Sequence, residues 1–276
     1  MDLTSPKIIK ELLSKYETRP SRGLGQNFLI DKYVLEKIIA AADIKPTDII
    51  LEVGPGIGTL TQELAKKAEK VVAVEKDKTM VEVLKETLKD YKNIEIVNGD
   101  ILKISNFKFQ ISNYKVVANI PYYLTSPLIR KFLELKNPPG EMILMLQKEV
   151  AQRICSKPPR MSLLAVSVQF YAESKIISYV SKNCFWPSPK IDSAIIKIVP
   201  HPSALNSASF RDNLFKVVKA GFSHPRKQLA GNLSKILKID RKKTNEWLIK
   251  NNIKPTQRAE TLSIDDWQNL AKTSCI

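Results

Sequence analysis

The segment Ile49-Ile50-Leu51-Glu52-Val53-Gly54-Pro55-Gly56-Ile57-Gly58 joins a buried-strand pattern to a glycine-rich turn, with a helix starting near Thr59. Glycines let a backbone pass close to a ligand, and the free N–H groups of a helix start favour a polar or anionic group. The glycines at 54, 56 and 58 do not follow the G-x-G-x-x-G spacing of a dinucleotide site. Glu52, just before the turn, would repel a pyrophosphate and suits a ligand with positive charge, such as S-adenosylmethionine. Alone, an ordinary α/β glycine turn explains this segment almost as well. The next two strand candidates strengthen the ligand reading. Val71-Val72-Ala73-Val74 ends in Glu75, a position that reaches ribose hydroxyls in doubly wound folds. Ile94-Glu95-Ile96-Val97-Asn98-Gly99-Asp100 places Asp100 at the same rim, where a carboxylate can accept from an adenine amino group. One such acid is commonly a solvated loop charge; three in succession are not.

Val116-Val117-Ala118-Asn119-Ile120-Pro121-Tyr122-Tyr123 ends a fourth strand candidate. The amino group of adenine is a poor nucleophile because its lone pair is delocalised into the ring. The Asn119 carboxamide oxygen and the Ile120 main-chain carbonyl could accept both amino hydrogens, bias the nitrogen towards tetrahedral geometry and aim its lone pair at a methyl donor. Pro121 has no N–H and a fixed φ, which stiffens the turn. Tyr122 offers a face for a base taken out of its stack. The amine need lose its proton only after attack, so no strong general base is required.

The elements that position these residues are legible as alternating patterns. A helical spacing at Ile8, Ile9, Leu12 and Leu13 ends by Pro20 and Gly23. A second helix starts near Asp31, with Tyr33, Val34, Ile38 and Ile39 on its buried side. Strand and helix patterns then alternate over 49–53, 60–68, 71–74, 80–88, 94–97, 116–118, 127–135 and 142–146, as in a parallel sheet covered on both faces. Ser126 and Pro127 supply an N-cap and a first helical residue. A helix over 147–154 and β-rich runs at 163–171 and 193–199 close this part. Helices follow over 210–220, 227–237, 242–251 and 265–272, the last opened by a Ser263-x-x-Asp266 capping box. The fold expected is α/β, a Rossmann-like sheet with a smaller all-helical C-terminal domain. Its divisions are an N-terminal helix and basic linker over 1–25, a ligand-binding domain over 26–203 and a helical domain over 204–276.

Composition narrows the partners. The chain has 276 residues, with 44 Lys+Arg against 28 Asp+Glu and a formal charge of +16. From residue 201 onward 14 Lys/Arg face 6 Asp/Glu, so the last 76 residues carry half of the excess. That favours a polyanion, nucleic acid before an anionic membrane. Arg226-Lys227, Lys235, Lys238 and Arg241-Lys242-Lys243 would neutralise phosphates without reading sequence. Trp247 and Trp267 lie at helical positions that suit core residues. Cys155, Cys184 and Cys275 lack CxxC pairing and His201 and His224 lack ligand spacing, so neither a metal site nor a disulfide framework is expected. The apolar run over 142–146 is too short for a bilayer, and residues 1–11 lack a signal-peptide core. A cytoplasmic protein without a membrane partner is expected.

Beyond these readings, the chain resembles the small-subunit (16S) ribosomal RNA adenine N6,N6-dimethyltransferases, a family of Rossmann-like class I methyltransferases, over nearly its whole length. The shared blocks are Gly25-Gln26-Asn27-Phe28-Leu29-Ile30-Asp31, Glu52 to Gly58, Glu75, Asn98-Gly99-Asp100 and Asn119-Ile120-Pro121-Tyr122, then Met145-Leu146-Gln147-Lys148-Glu149-Val150 and Phe185-Trp186-Pro187-Ser188-Pro189-Lys190-Ile191-Asp192-Ser193. The resemblance implies S-adenosylmethionine contacts at Asn27, Leu29, Gly54, Glu75, Asp100 and Asn119; the turn itself adds Glu52, Gly56 and Gly58. Catalysis is expected from Asn119, Ile120, Pro121 and Tyr122. Phe185 is implied to lie opposite Tyr122 across a flipped adenine, or else to be a core aromatic. The substrate implied is a pair of adjacent adenines in the 3′-terminal hairpin of 16S rRNA, within a 30S assembly intermediate, acted on by a monomer. At 155–162 the chain departs from the family pattern, though Arg153, Lys157 and Arg160 remain as phosphate contacts. Two rivals share much of this pattern: a 23S rRNA adenine N6-methyltransferase, and an RNA-binding ribosome-assembly factor without catalysis. A dehydrogenase fits neither the glycine spacing nor the absence of a proton-shuttling histidine.

Overall fold

Runs of Val, Ile and Leu buried on both faces make strands, and stretches with one apolar side make the helices that cover them. The structure, a computed structural model, describes residues 1–21, 23–104, 113–201 and 207–274. In chain order the elements are α1 (Pro6–Lys15), β1 (Phe28–Leu29), α2 (Lys32–Ala42), β2 (Ile49–Val53), α3 (Thr59–Ala65), β3 (Lys70–Glu75), α4 (Lys78–Thr87), β4 (Ile94–Asn98), β5 (Tyr114–Asn119) and α5 (Thr125–Leu133). They continue with β6 (Glu141–Gln147), α6 (Lys148–Ile154), α7 (Leu163–Gln169), β7 (Ala172–Val180), β8 (Phe185–Trp186), β9 (Ser193–Pro200), α8 (Ala208–Gly221), α9 (Leu229–Leu237), α10 (Arg241–Lys250) and α11 (Ile264–Lys272).

The main sheet has the order β4-β3-β2-β5-β6-β9-β7. Pairing is parallel from β4 through β6, and β9 runs antiparallel to β6. The chain winds outward from β2 to β4, then returns to lay β5 on the other side of β2. The topological switch therefore lies between β2 and β5, where open α/β sheets bind ligands. A separate two-stranded ribbon pairs β1 with β8, setting Leu29 opposite Phe185. Chemically this is a Rossmann-like α/β fold, as the patterning leads one to expect.

Two compact units are distinguishable: Met1–Ala151 with Lys175–Pro200, and Gln152–Ser174 with His201–Ile276. In the first, Ile9, Leu12 and Leu13 of α1 pack with Phe28, Ile57, Met80 and Val83, so the N-terminal helix shares a core with the glycine turn and α4. Lys15 and the Tyr16 hydroxyl both reach Glu86 at 2.7 Å. At the amino ends of the strands, Lys115 Nζ lies 3.0 Å from both Asp48 and Glu141 and donates to the carbonyls of Ala42 and Asp43 at 3.0 Å. Lys197 pairs with the other oxygen of Glu141. In the second unit Trp267 is fully buried, with Gly221 close against its ring. Trp247 is partly exposed and donates its indole N–H to Thr273 Oγ1 at 3.0 Å.

Three local expectations need correction. Residues 163–169 are helix, not strand, because Ser162 caps the Ala165 N–H and Ala165, Val166 and Val168 bury together. The helix expected at Pro127 starts at Thr125, fed by a tight 3-10 turn over Tyr122–Leu124, and Ser126 is not its cap. Tyr33 lies outside the core, 65% exposed, while Val34, Leu35, Ile38 and Ile39 take the buried side of α2. The capping box at Ser263 and Asp266 is present. The expected boundary at 203/204 and Cys275 fall outside the described residues; Cys155 and Cys184 are free thiols.

Candidate active site

The cavity at the switch point opens because two strands part. Pairing of β2 with β5 runs from Ile49–Tyr114 only to Leu51–Val116, whereas β2–β3 continues to Val53–Val74 and β5–β6 to Asn119–Met145. Glu52, Gly54 and Asn119 therefore face a crevice beyond the last shared rung. Its walls include Gly56, Glu75, Asp100, Ile120, Pro121 and Tyr122, with Asn27, Leu29 and Phe185 brought over it by the β1–β8 ribbon. Gly58 does not line it. That residue precedes α3 and packs on α4, where a Cβ would come within 3.1 Å of Leu88.

The glycines are required by proximity. Gly54 has φ +68°, and a Cβ there would meet the Pro121 ring at 3.4 Å. Gly56 has φ +60°, and its Cβ would meet Phe28 Cε1 at 3.2 Å. Side chains are strained at such φ values and would here also crowd the neighbouring turn. Gly25 approaches Pro121 from the other side, so the N-terminal segment, the glycine turn and the Asn-Ile-Pro-Tyr turn converge on one proline.

Each acid has a distinct environment. Glu75 accepts from the Asp77 N–H at 2.8 Å through Oε1 and from the Gly56 N–H at 3.2 Å through Oε2. Burial raises its pKa despite these bonds. Asp100 is partly buried, which opposes ionisation, but the Leu102 N–H at 3.0 Å and the Lys76 ammonium at 3.1 Å hold its carboxyl below the usual range. Glu52, expected to face a positively charged ligand, is the most deeply buried of the three. It is 2% exposed, its Oε2 has no hydrogen-bond partner, and burial, opposed by the nearby Thr61 hydroxyl and aided by the Glu75 charge, pushes its pKa up to about 8. A buried acceptor without a partner is costly, and its position on the cavity wall suits a cationic ligand.

The Asn119–Tyr122 turn is held from several directions. Asn119 donates Nδ2–H to the Asn27 carbonyl at 3.3 Å, leaving Oδ1 as its acceptor. The Ile120 N–H donates to the Met145 carbonyl at 3.2 Å, which pins the peptide. The Tyr122 hydroxyl lies 2.8 Å from Ser193 Oγ, and Ser193 is fully buried at the start of β9. Burial raises the Tyr122 pKa, so the phenol stays protonated and its ring serves as a surface, not a base. Phe185 lines the same cavity and is also only 3% exposed, packed among Leu29, Ile38 and Met145, so it fits both roles considered for it. Sequence reasoning missed Ser193 as the partner of Tyr122, the Asn27 carbonyl as the group that orients Asn119, and Lys76 on Asp100. Ser193 was visible only as the end of the Phe185 block.

Among the described residues no helix is long and apolar enough to cross a membrane, and no group of three or more His, Cys, Asp or Glu could hold a metal ion. The family described as "Ribosomal RNA adenine dimethylase" matches residues 3–274. The chain is 44% identical over 263 residues to the "Ribosomal RNA small subunit methyltransferase A" of Dehalococcoides mccartyi (strain ATCC BAA-2100), covering 95% of this chain and 90% of that one. The protein of the same description from Alkaliphilus metalliredigens is 41% identical over 278 residues, covering 98% and 97%. Among solved structures, a dimethyladenosine transferase from Plasmodium falciparum superposes with a TM-score of 0.73 at 29% identity, covering 88% of this chain and 95% of that one. The 23S rRNA methyltransferase ErmE superposes with a TM-score of 0.74 at 27% identity, covering 89% and 98%.

Proposed function

The chain belongs to the ribosomal RNA adenine dimethylase family, and from that membership we infer that it uses S-adenosylmethionine to dimethylate N6 of two adjacent adenines in the 3′-terminal hairpin of 16S rRNA. It acts as a cytoplasmic monomer on a 30S assembly intermediate. The observation that carries this reading is the Asn119 carboxamide at the switch point, its amide nitrogen engaged by Asn27 and its oxygen left to accept from an amine.

The cavity fits this cofactor. The unpartnered Glu52 oxygen suits its positive charge, Glu75 stands where ribose hydroxyls reach, and Asp100 suits the adenine amine. Gly54 and Gly56 keep the wall low, while Asn27 and Leu29 close over it. When bound, S-adenosylmethionine supplies an electrophilic methyl group. The chain's own residues prepare the nucleophile. Asn119 Oδ1 and the Ile120 carbonyl accept the amino hydrogens and turn the lone pair out of conjugation. Pro121 holds that geometry, and Tyr122, braced by Ser193, presents its ring to the extruded base. The proton lost after attack passes to water. For the second transfer one amine hydrogen remains, so one of the two acceptors suffices.

Exposed Arg226, Lys227, Lys235, Lys238 and Arg241-Lys242-Lys243 of the helical unit supply sequence-independent affinity for phosphate, with Arg153, Lys157 and Arg160 adding to it. The likeness to ErmE keeps a large-subunit substrate as the second reading, while relatives at 41–44% identity favour the small subunit. Labelled S-adenosylmethionine with undimethylated 30S subunits, 50S subunits and naked 16S RNA separates the two. Dimethyladenosine is expected in 16S rRNA. Label confined to 23S rRNA overturns the substrate, and cofactor binding without transfer supports an assembly factor.

A further inference from the structure

Lys131, in the first unit, is a charged side chain with no part in the chemistry above. It sits near the end of α5, partly buried, and its ammonium donates to three main-chain carbonyls: Ile101 at 2.7 Å, Leu102 at 3.1 Å and Ile104 at 2.7 Å. An ammonium has three N–H groups, so all of them are committed to one short segment. Partial burial lowers the Lys131 pKa, opposed by the charge of Asp100, the residue that begins this segment.

Residues 100–104 form a tight turn that runs on from β4. The Lys103 and Ile104 N–H groups donate to the Asp100 carbonyl at 2.8 and 3.0 Å, and the Leu102 N–H donates to Asp100 Oδ1 at 3.0 Å. Ile104 folds back over Gly99, where a Cβ would come within 2.9 Å of its Cδ1. A lone turn is a weak restraint on its own shape, because ordering its residues costs more than its few bonds return. Lys131 supplies the missing hold from the carbonyl side, as a cation does at the end of a helix. That hold acts on the cavity, since Asp100, Ile101 and Leu102 all line it. Strands β4 and β5 are kept apart in the sheet by β3 and β2, and α5 follows β5 through the Asn119–Tyr122 turn. The Lys131 bonds therefore tie the cavity wall after β4 to the helix that continues the turn after β5.

We propose that Lys131 is a positioning residue that sets Asp100, Ile101 and Leu102 at the height needed to read the 6-amino group of the cofactor's purine. The identity of that purine rests on the S-adenosylmethionine reading. Without the three bonds the turn is free to swing on Gly99, Asp100 no longer meets the amine squarely, and the site stops telling a 6-amino purine from a 6-oxo purine.

The test compares S-adenosylhomocysteine with S-inosylhomocysteine, which carries an oxygen in place of the 6-amino group, by calorimetry on the full chain. Wild type is expected to prefer the adenine ligand roughly 10- to 100-fold, the range of one hydrogen bond to a charged group. Lys131→Met keeps the stem but removes all three donors, and should bring the preference to within about threefold, chiefly by weakening the adenine ligand. Lys131→Arg keeps charge and donors and should hold the preference above about fivefold. In turnover, Lys131→Met should raise KM for S-adenosylmethionine roughly 10-fold, with kcat at saturating cofactor and KM for rRNA within about twofold of wild type. Hydrogen exchange of the free chain should quicken roughly 10-fold over 102–104 in Lys131→Met, while β5 keeps its protection. An unchanged preference in Lys131→Met, equal weakening of both ligands, a matching fall in kcat, or a loss in Lys131→Arg as large as in Lys131→Met overturns the proposal. Exchange that quickens throughout the unit does so too, because it marks a general structural role. If wild type binds neither ligand, the functional reading fails and the purine-reading role falls with it; exchange over 102–104 still decides whether Lys131 holds the turn.

Discussion

Replacing Glu52 by Gln tests the electrostatics of the cavity directly. The carboxyl titrates near 8 in the folded chain against an ordinary value of 4.5, because burial disfavours its charge. Between those values the folded state holds more protons than the unfolded state, so the contribution of Glu52 to stability falls as pH rises. Integrated from about pH 5 to about pH 8, the loss is about 3 kcal/mol. A glutamine has no such proton to lose. The stability gap between E52Q and wild type, measured by urea unfolding without cofactor, should widen by that amount over the interval. A cationic cofactor reverses the preference by favouring the carboxylate. At pH 7 wild type should then release roughly 0.9 proton on binding S-adenosylmethionine, and E52Q none, as read by calorimetry in buffers of different ionisation enthalpy. Parallel stability curves for the two proteins, or no proton release by wild type, would refute the account.

Asn119→Ala should lower kcat about 100- to 1,000-fold while RNA affinity holds, since a positioned acceptor acts mainly in the transition state; unchanged turnover refutes its role. Lys115→Met removes the cation shared by Asp48 and Glu141 at the amino ends of the strands, leaving Glu141 paired with Lys197 alone and Asp48 with the Lys45 N–H, and should cost about 1–3 kcal/mol in urea unfolding. Cofactor Kd should not move, because the network lies opposite the carboxyl-end cavity. A double Lys242→Gln, Lys243→Gln variant should reduce the log–log salt dependence of RNA binding by about two, one for each lost phosphate contact. An unaltered slope would remove those lysines from the RNA grip.

Much of the sheet was readable because buried parallel strands are uniformly apolar: 49–53, 71–74, 116–118 and 142–146 all became strands. The run at 163–169 misled for the same reason. Val166 and Val168 in a short apolar segment suit either state, and the Ser162 cap decided for helix. Tyr33, expected on the buried side of α2, is exposed because the apolar side of that helix runs through Val34, Leu35, Ile38 and Ile39. At the site, Glu75, Asp100 and Asn119 could be read because a residue ending a parallel strand has only one rim to occupy. What holds them was not readable. Ser193 reaches Tyr122 across 71 positions and the Asn27 carbonyl reaches Asn119 across 92, distances that strand order alone closes.

The bond from Asn119 Nδ2 to the Asn27 carbonyl gives the active site a polarity lock. A carboxamide turned by half a revolution presents a donor where an acceptor stood. With its N–H groups forward, Asn119 would oppose the amine hydrogens that the proposed chemistry has it accept. The key belongs to the N-terminal segment, which the β1–β8 ribbon lays across the cavity. An enzyme whose entrance segment is displaced is therefore mis-keyed as well as open, and becomes chemically competent only once the segment that encloses the reactants is seated.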